Sequence, residues 1–310
     1  MTFADAMTHP ICYSGAALTI PVLLGLGATP GRAQDLPELT IGNLVRGVDV
    51  IHGHPGGNVL VIETTDGLVL VDAQSADVTD SLVAVVRSIS PGRPAFVIAT
   101  HYHEDHIAGS SVFRDLGATT IGHVNVSVHA TVDTTIDELG WHREPAEAGD
   151  LPMEAVAEDT TMTVGGIRID LITFPAAHTD GDLAVYLPEQ NVLHTGDILE
   201  VDAFPFIDWW GGGSLAGTIA AIDKLVTMID DATSVVPGHG QVVDRAHMVA
   251  YRSMLAQVGE GVQEAIARGD DVETTMSLGL ASTFAEGRGG EGAARRFVGI
   301  LFLGMSTGHR

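Results

Sequence analysis

The six consecutive residues His101, Tyr102, His103, Glu104, Asp105 and His106 constrain this chain more than any other feature. They follow the apolar run 95–99 directly, which reads as a buried strand, so they sit on the loop at that strand's C-terminal end. Three imidazoles and a carboxylate at this density are a metal-ligand set, because neutral imidazole and carboxylate oxygen suit zinc and similar divalent ions. Alternate residues of an extended segment point the same way, so His101 and His103 can share one ion. Asp105 and His106 come after the chain turns into a helix predicted to start near Ile107, which aims them at a second ion nearby. A surface histidine cluster without metal is the competing reading, and residues further along the chain weigh against it.

Three further candidates stand in matching places. His178 follows a predicted strand over 167–174, Asp197 follows one over 192–195, and His239 lies on a glycine-flanked turn after one over 234–236. Loops at strand ends are where a rigid scaffold presents its site residues. Around these positions, short Val-, Leu- and Ile-rich runs separated by turn residues predict strands over 39–45, 48–52, 58–63 and 67–72. Apolar spacing predicts helices over 78–90, 107–116 and 214–229, and a mostly helical pattern from 245 to a last helix over 293–305. The stretch 123–139 reads as helical in part. Strands followed by helices, twice over, predict an α/β chain of two similar halves packed sheet on sheet with helices outside.

The motifs in this order resemble the signature of the metallo-β-lactamase-fold superfamily. His-x-His-x-Asp-His reads here as His101, His103, Asp105 and His106, followed by the lone His178, by Gly196-Asp197 and by Gly238-His239. The resemblance implies a four-layer αβ/βα sandwich with the metals at one edge of the two sheets. It implies that His101, His103 and His178 bind one ion, that Asp105, His106 and His239 bind a second, and that Asp197 bridges them. Zinc is the first choice for these donors, with iron or manganese as alternatives. It implies a hydrolase in which a hydroxide held between the ions attacks an ester, thioester, lactone or amide-like bond. Asp105 is the candidate catalytic residue, orienting the nucleophile or passing its proton on. Well-known zinc β-lactamases carry Cys or Ser where this chain has Asp197, which ranks a dedicated β-lactamase below the glyoxalase-II-like and lactonase branches. A mononuclear iron oxidoreductase of the persulfide-dioxygenase type and a non-catalytic metal-binding protein are the remaining alternatives.

Composition removes other classes. Fifteen Lys and Arg stand against 40 Asp and Glu, a formal net charge of −25, and such a surface repels polyanions. Nucleic acid and anionic membrane surfaces are therefore excluded as partners, and a small-molecule substrate is expected. The single cysteine, Cys12, excludes an intrachain disulfide framework and a cysteine-rich zinc site. The apolar run 14–28 is too short for a stable membrane span. With small residues at Gly31 and Ala33 it reads as a signal peptide over 1–33, so a secreted or periplasmic protein is expected, with a cytoplasmic one as the alternative. The catalytic domain is then expected over 34–258 and a helical C-terminal extension over 259–310. Oligomeric state has no sequence signal.

Several residues keep two readings. His54 and Asn58 flank a Gly-rich turn that either overhangs the site or forms a solvated hairpin. His194 reads as a packed histidine rather than a ligand, and His123 as a polar helix cap. Phe204, Phe206, Trp209 and Trp210, just before three glycines, form either a wall of the substrate pocket or a loop packed onto the core.

Overall fold

Strand alternation decides the architecture. In the third strand Val59 and Val61 face one side while Leu60 and Ile62 face the other, and all four are fully buried. A sheet buried on both faces needs a layer on each side of it. The computed structural model describes residues 39–53, 56–137 and 140–306. The signal-peptide segment 1–33 with Cys12, and His54, lie outside the described residues.

The strands are β1 (Thr40–Val45), β2 (Val48–His52), β3 (Val59–Thr64), β4 (Gly67–Val71), β5 (Pro94–Ile98), β6 (Thr119–His123), β7 (Thr134–Ile136), β8 (Trp141–Arg143), β9 (Glu154–Val156), β10 (Thr160–Val164), β11 (Ile167–Phe174), β12 (Asp182–Leu187), β13 (Val192–His194) and β14 (Ser234–Val236). The helices are α1 (Thr79–Ile89), α2 (Glu104–Ile107), α3 (Ser110–Asp115), α4 (Val124–Ala130), α5 (Leu215–Met228), α6 (Arg245–Arg268), α7 (Val272–Met276) and α8 (Gly290–Ser306). One sheet runs β1-β2-β3-β4-β5-β6-β9 and the other β10-β11-β12-β13-β14. Each begins as an antiparallel meander and ends in parallel pairs, β4 with β5 and β5 with β6 in the first, β13 with β14 in the second.

Three apolar cores separate four layers. Leu60, Ile62, Val71 and Ile98 meet Ile169, Leu171, Leu183 and Val185 between the sheets. Val61 and Leu70 pack outward on Leu82 and Val86 of α1 and Phe113 of α3. Ile172, Phe174 and Leu193 pack outward on α5, α6 and α8 through Ile222, Leu225, Leu255 and Phe297. The fold is thus the four-layer αβ/βα sandwich with a helical C-terminal tail that the sequence predicts. No helix among the described residues is long and apolar enough to cross a membrane.

Three segments differ from the sequence reading. The stretch 123–139 is helical only over α4, whose first turn is capped by Nδ1 of His123 accepting from Asn125 N at 3.2 Å. After it come β7 and β8, a hairpin of their own, where β-branched Thr134, Thr135 and Ile136 favour extended backbone. β9 joins the first sheet as a short, largely exposed edge strand, without the buried alternation that would mark it. The boundary expected between 258 and 259 falls inside α6, which is continuous from 245 to 268. Val258 and Val262 on that helix share one core with Ile172 and Leu193, so the helical tail forms the outer layer of the second half rather than an appendage.

Candidate metal centre

The loops after β5, β11, β13 and β14 open on the same edge of the sandwich, and they carry His101 to His106, His178, Asp197 and His239. His103 remains extended at φ −67° and ψ 148°, which keeps it on the side of His101 before α2 begins at Glu104. Nδ1 of His103 lies 3.0 Å from Nε2 of His101 and 3.0 Å from Nε2 of His178. Oδ2 of Asp197 lies 3.8 Å from the first of those Nε2 atoms and 3.7 Å from the second. A tetrahedral ion with bonds of about 2.0–2.1 Å sets its donors roughly 3.3 Å apart, so these atoms have the spacing of a shared ion.

A second set adjoins the first. Nε2 of His106 and Nε2 of His239 are 3.4 Å apart, and Oδ2 of Asp105 is 3.7 Å and 3.2 Å from them. Asp197 reaches this set too, with Oδ1 3.3 Å from His106 and Oδ2 3.5 Å from His239. The structure therefore brings all seven predicted residues together as two groups with one carboxylate between them. Asp197 Oδ1 is buried and receives no hydrogen bond, which fits a carboxylate oxygen meant for a cation. The site opens on one side only: the side chains of Asp105 and His239 are 35% and 25% exposed, whereas those of His101, His106 and His178 are at most 1%.

Burial divides the histidines electrostatically. Desolvation lowers the pKa of His101 well below its ordinary value and that of His178 to about 4, so both keep a free lone pair. Burial also works against charge on His106 and His239, but nearby carboxylates outweigh it there. Asp197, Asp72 and Asp105 raise His106, and Asp197 and Asp105 raise His239. Glu200, three residues after Asp197, is pushed up to about 8 by burial and then by the Asp197 charge. Its Oε1 accepts from Phe206 N at 3.1 Å.

Behind the seven stand residues that the sequence reading missed. Oδ2 of Asp72 lies 2.7 Å from Nδ1 of His106 and accepts from Thr100 Oγ1 at 2.9 Å, while Oδ1 accepts from Thr100 N at 2.7 Å. Thr100 Oγ1 is in turn 3.1 Å from Nδ1 of His101, so one buried aspartate braces a histidine of each group. Oδ2 of Asp208 lies 3.0 Å from Nε2 of His103 and also accepts from the Tyr102 hydroxyl. The Phe206 carbonyl accepts from Nδ1 of His178 at 2.6 Å. Such partners select the tautomer and aim the ring. Asp72 directly follows β4, the same strand-end position as the ligands, and that was its one legible signal.

The weaker candidates resolve differently. Asn58 is buried and holds the turn that carries His239: it donates from N to Gly238 O and from Nδ2 to the carbonyls of Pro237 and Gly240. Its burial sets it apart from a solvated hairpin. His194 is fully buried, with Nε2 3.3 Å from Asn58 O and Nδ1 accepting from Gly196 N, which makes it a packed histidine. Trp209 of the aromatic loop packs on Ile300 of α8, and the Phe206 ring of the same loop stands 6.0 Å from the ring of His103.

Comparison with known proteins agrees with this geometry. A family model described as the metallo-beta-lactamase superfamily matches residues 52–239, a span that holds all seven side chains. Metallo-beta-lactamase type 2 of Bacillus cereus is 27% identical over 200 residues, 64% of this chain and 72% of that protein. A linear primary-alkylsulfatase of Pseudomonas sp. is 23% identical over 220 residues, 59% of this chain and 41% of that one. Among solved structures, a metallo-beta-lactamase from Pontibacter korlensis matches with a TM-score of 0.58 at 21% identity, covering 71% of this chain and 99% of the other. The sec-alkylsulfatase Pisa1 from Pseudomonas sp. matches with a TM-score of 0.63 at 15% identity, covering 85% of this chain and 50% of the other. At these identities the structural likeness is one of fold.

Proposed function

This chain belongs to the metallo-beta-lactamase superfamily, and on that premise we propose that it is a dinuclear metal-dependent hydrolase of small molecules. In this reading His101, His103 and His178 hold one divalent ion, Asp105, His106 and His239 hold the other, and Asp197 serves both. The observation that carries it is the placement of the Asp197 carboxylate within 3.3–3.8 Å of nitrogens from both groups. Zinc suits these donors, as would iron or manganese. When bound, the ions would supply Lewis acidity, making a water between them acidic near neutral pH and polarising the attacked bond.

The chain's own groups do the rest. Asp105 stands at the open side, where its carboxylate can accept a proton from water or orient it toward substrate. Asp72, Asp208 and the Phe206 carbonyl hold three imidazoles by one nitrogen so that the other stays directed inward. The bond attacked is an ester, thioester, lactone or amide-like bond, and the likeness to alkylsulfatases adds a sulfuric ester to the candidates. The leader read over 1–33 places the mature enzyme outside the cytoplasm, which N-terminal sequencing from cell fractions would test.

The deciding experiment joins metal analysis to a hydrolysis panel of a β-lactam, a lactone, a thioester, an alkyl sulfate and a phosphodiester. About two ions per chain are expected, with turnover of at least one substrate that Asp105→Ala abolishes while the thermal midpoint stays near wild type. One iron per chain with oxygen consumption would replace this reading with the persulfide-dioxygenase-like one.

A further inference from the structure

A row of aromatic rings stands beside the first ligand group. Phe206 stands with its ring centroid 6.0 Å from that of His103 and 6.2 Å from that of His178. Trp210 stacks on Phe206 at 6.2 Å and 17°, and Trp209 stacks on Trp210 at 3.8 Å and 24°. Phe206 and Trp210 are half-buried, so part of each ring still faces out. The wall is fixed at both ends. The Phe206 peptide is pinned between Glu200 and His178, while Trp209 is backed by Ile300 and Leu303 of α8. α8 approaches so closely that a Cβ on Gly304 would sit 3.0 Å from Cδ1 of Trp209. This backing comes from beyond residue 239, where the family match ends.

Charge points the same way. Among the described residues, no Lys or Arg forms an ion pair with Asp72, Asp105, Asp197, Glu200 or Asp208; the ion-pair partners of the four aspartates are imidazoles, and Glu200 accepts from Phe206 N. Arg143 lies behind Tyr102, its guanidinium stacked 4.4 Å over that ring with Nη2 donating to His129 O and Thr134 Oγ1, while Nε and Nη1 are buried without a hydrogen-bond partner. The rest of the surface is strongly acidic, at a net −25 for the chain.

We infer that the substrate is an uncharged acyl ester or lactone whose apolar part lies against Phe206 and Trp210. The inference rests on the hydrolase reading above. Water adds to the acyl carbon, the carbon–oxygen bond to the alcohol breaks, one water proton leaves with the alcohol, and the acid is released.

The test uses the zinc-loaded full chain and two esters of equal length, 4-nitrophenyl hexanoate and the mono-4-nitrophenyl ester of adipic acid. Hexanoate should exceed the anionic adipate by about tenfold or more in kcat/KM, and Trp210→Ala or Phe206→Ala should cut the hexanoate value about tenfold while changing that of the acetate ester far less. Equal or faster turnover of the adipate ester, or of an alkyl sulfate, would overturn the inference. Fluorescence of the chain's three tryptophans, Trp141, Trp209 and Trp210, separates this inference from the hydrolase reading. If neither these esters nor any member of the wider hydrolysis panel is turned over, the hydrolase reading fails. Quenching by methyl hexanoate but not by monomethyl adipate, lost in Trp210→Ala, would still support the binding preference, and equal or absent quenching would refute it.

Discussion

Asp208 and His103 are 105 residues apart in sequence, yet Oδ2 of the aspartate lies 3.0 Å from Nε2 of the histidine. That contact leaves Nδ1 as the nitrogen His103 directs at His101 and His178. Burial opposes charge on Asp208, but the His103 and Tyr102 hydrogen bonds hold its carboxyl well below the usual range, so it is an anion at neutral pH. Asp208→Ala should therefore weaken metal binding at the first group by about 10–100-fold. Chelator competition and the visible spectrum of the cobalt-loaded protein would measure this. Asp208→Asn keeps an acceptor and should retain most of the affinity.

Asp72 should matter for folding as well as for metal. It is fully buried, and its removal leaves Thr100 N, Thr100 Oγ1 and Nδ1 of His106 without their acceptor. Asp72→Ala is expected to cost about 3 kcal/mol or more, read as a lower midpoint in denaturant unfolding. Asp72 has φ +67°, a left-handed conformation that Asn also tolerates, so Asp72→Asn should be much milder. Equal loss in both variants would contradict the hydrogen-bond account.

Gly238 should tolerate no side chain, although it is not itself a ligand. A Cβ there would overlap Oδ1 of Asp197, the carboxylate oxygen that faces His106. Gly238→Ala should displace that carboxylate by about an ångström or more, because the Cβ would lie 1.9 Å from Oδ1. It should lower activity about 100-fold and reduce metal content below wild type with all seven ligand side chains present. Metal analysis alongside the thermal midpoint would distinguish this from global unfolding.

Acid should remove the two ions in order. His101 and His178 have lowered pKa values, the latter about 4, so protons compete weakly for the first group. His106 and His239 have raised pKa values in the metal-free protein, so protons compete for the second group at higher pH. As pH falls, the ion at Asp105, His106 and His239 should leave first and the other should persist toward pH 4. Metal content after dialysis at stepped pH tests the order, and simultaneous release would contradict it.

The sandwich was legible because its signals are local. Alternation in β3 and the helical spacing of α1 and α5 are set by backbone period, so each element could be read from its own residues. The hairpin of β7 and β8 and the edge strand β9 were not legible, because they are short, largely exposed and held by pairing rather than by an apolar face. The continuity of α6 across 258–259 was not legible for a similar reason: only packing shows that its second half shares the core of the second sheet.

At the site, the sequence by itself determined which side chains have metal-binding chemistry and that each follows a strand. Donor type and loop position are properties of a short stretch of chain. Tertiary structure alone decided that Asp197 stands between the two groups and that Asp72, Asp208 and the Phe206 carbonyl hold the imidazoles from behind. It also decided that α8 supports the aromatic wall. Those relationships join residues 19 to 105 positions apart, as in Asp197 with His178 and Asp208 with His103. No local period encodes such a contact, because it exists only once the fold has brought loops from separate strands together at one edge of the sandwich.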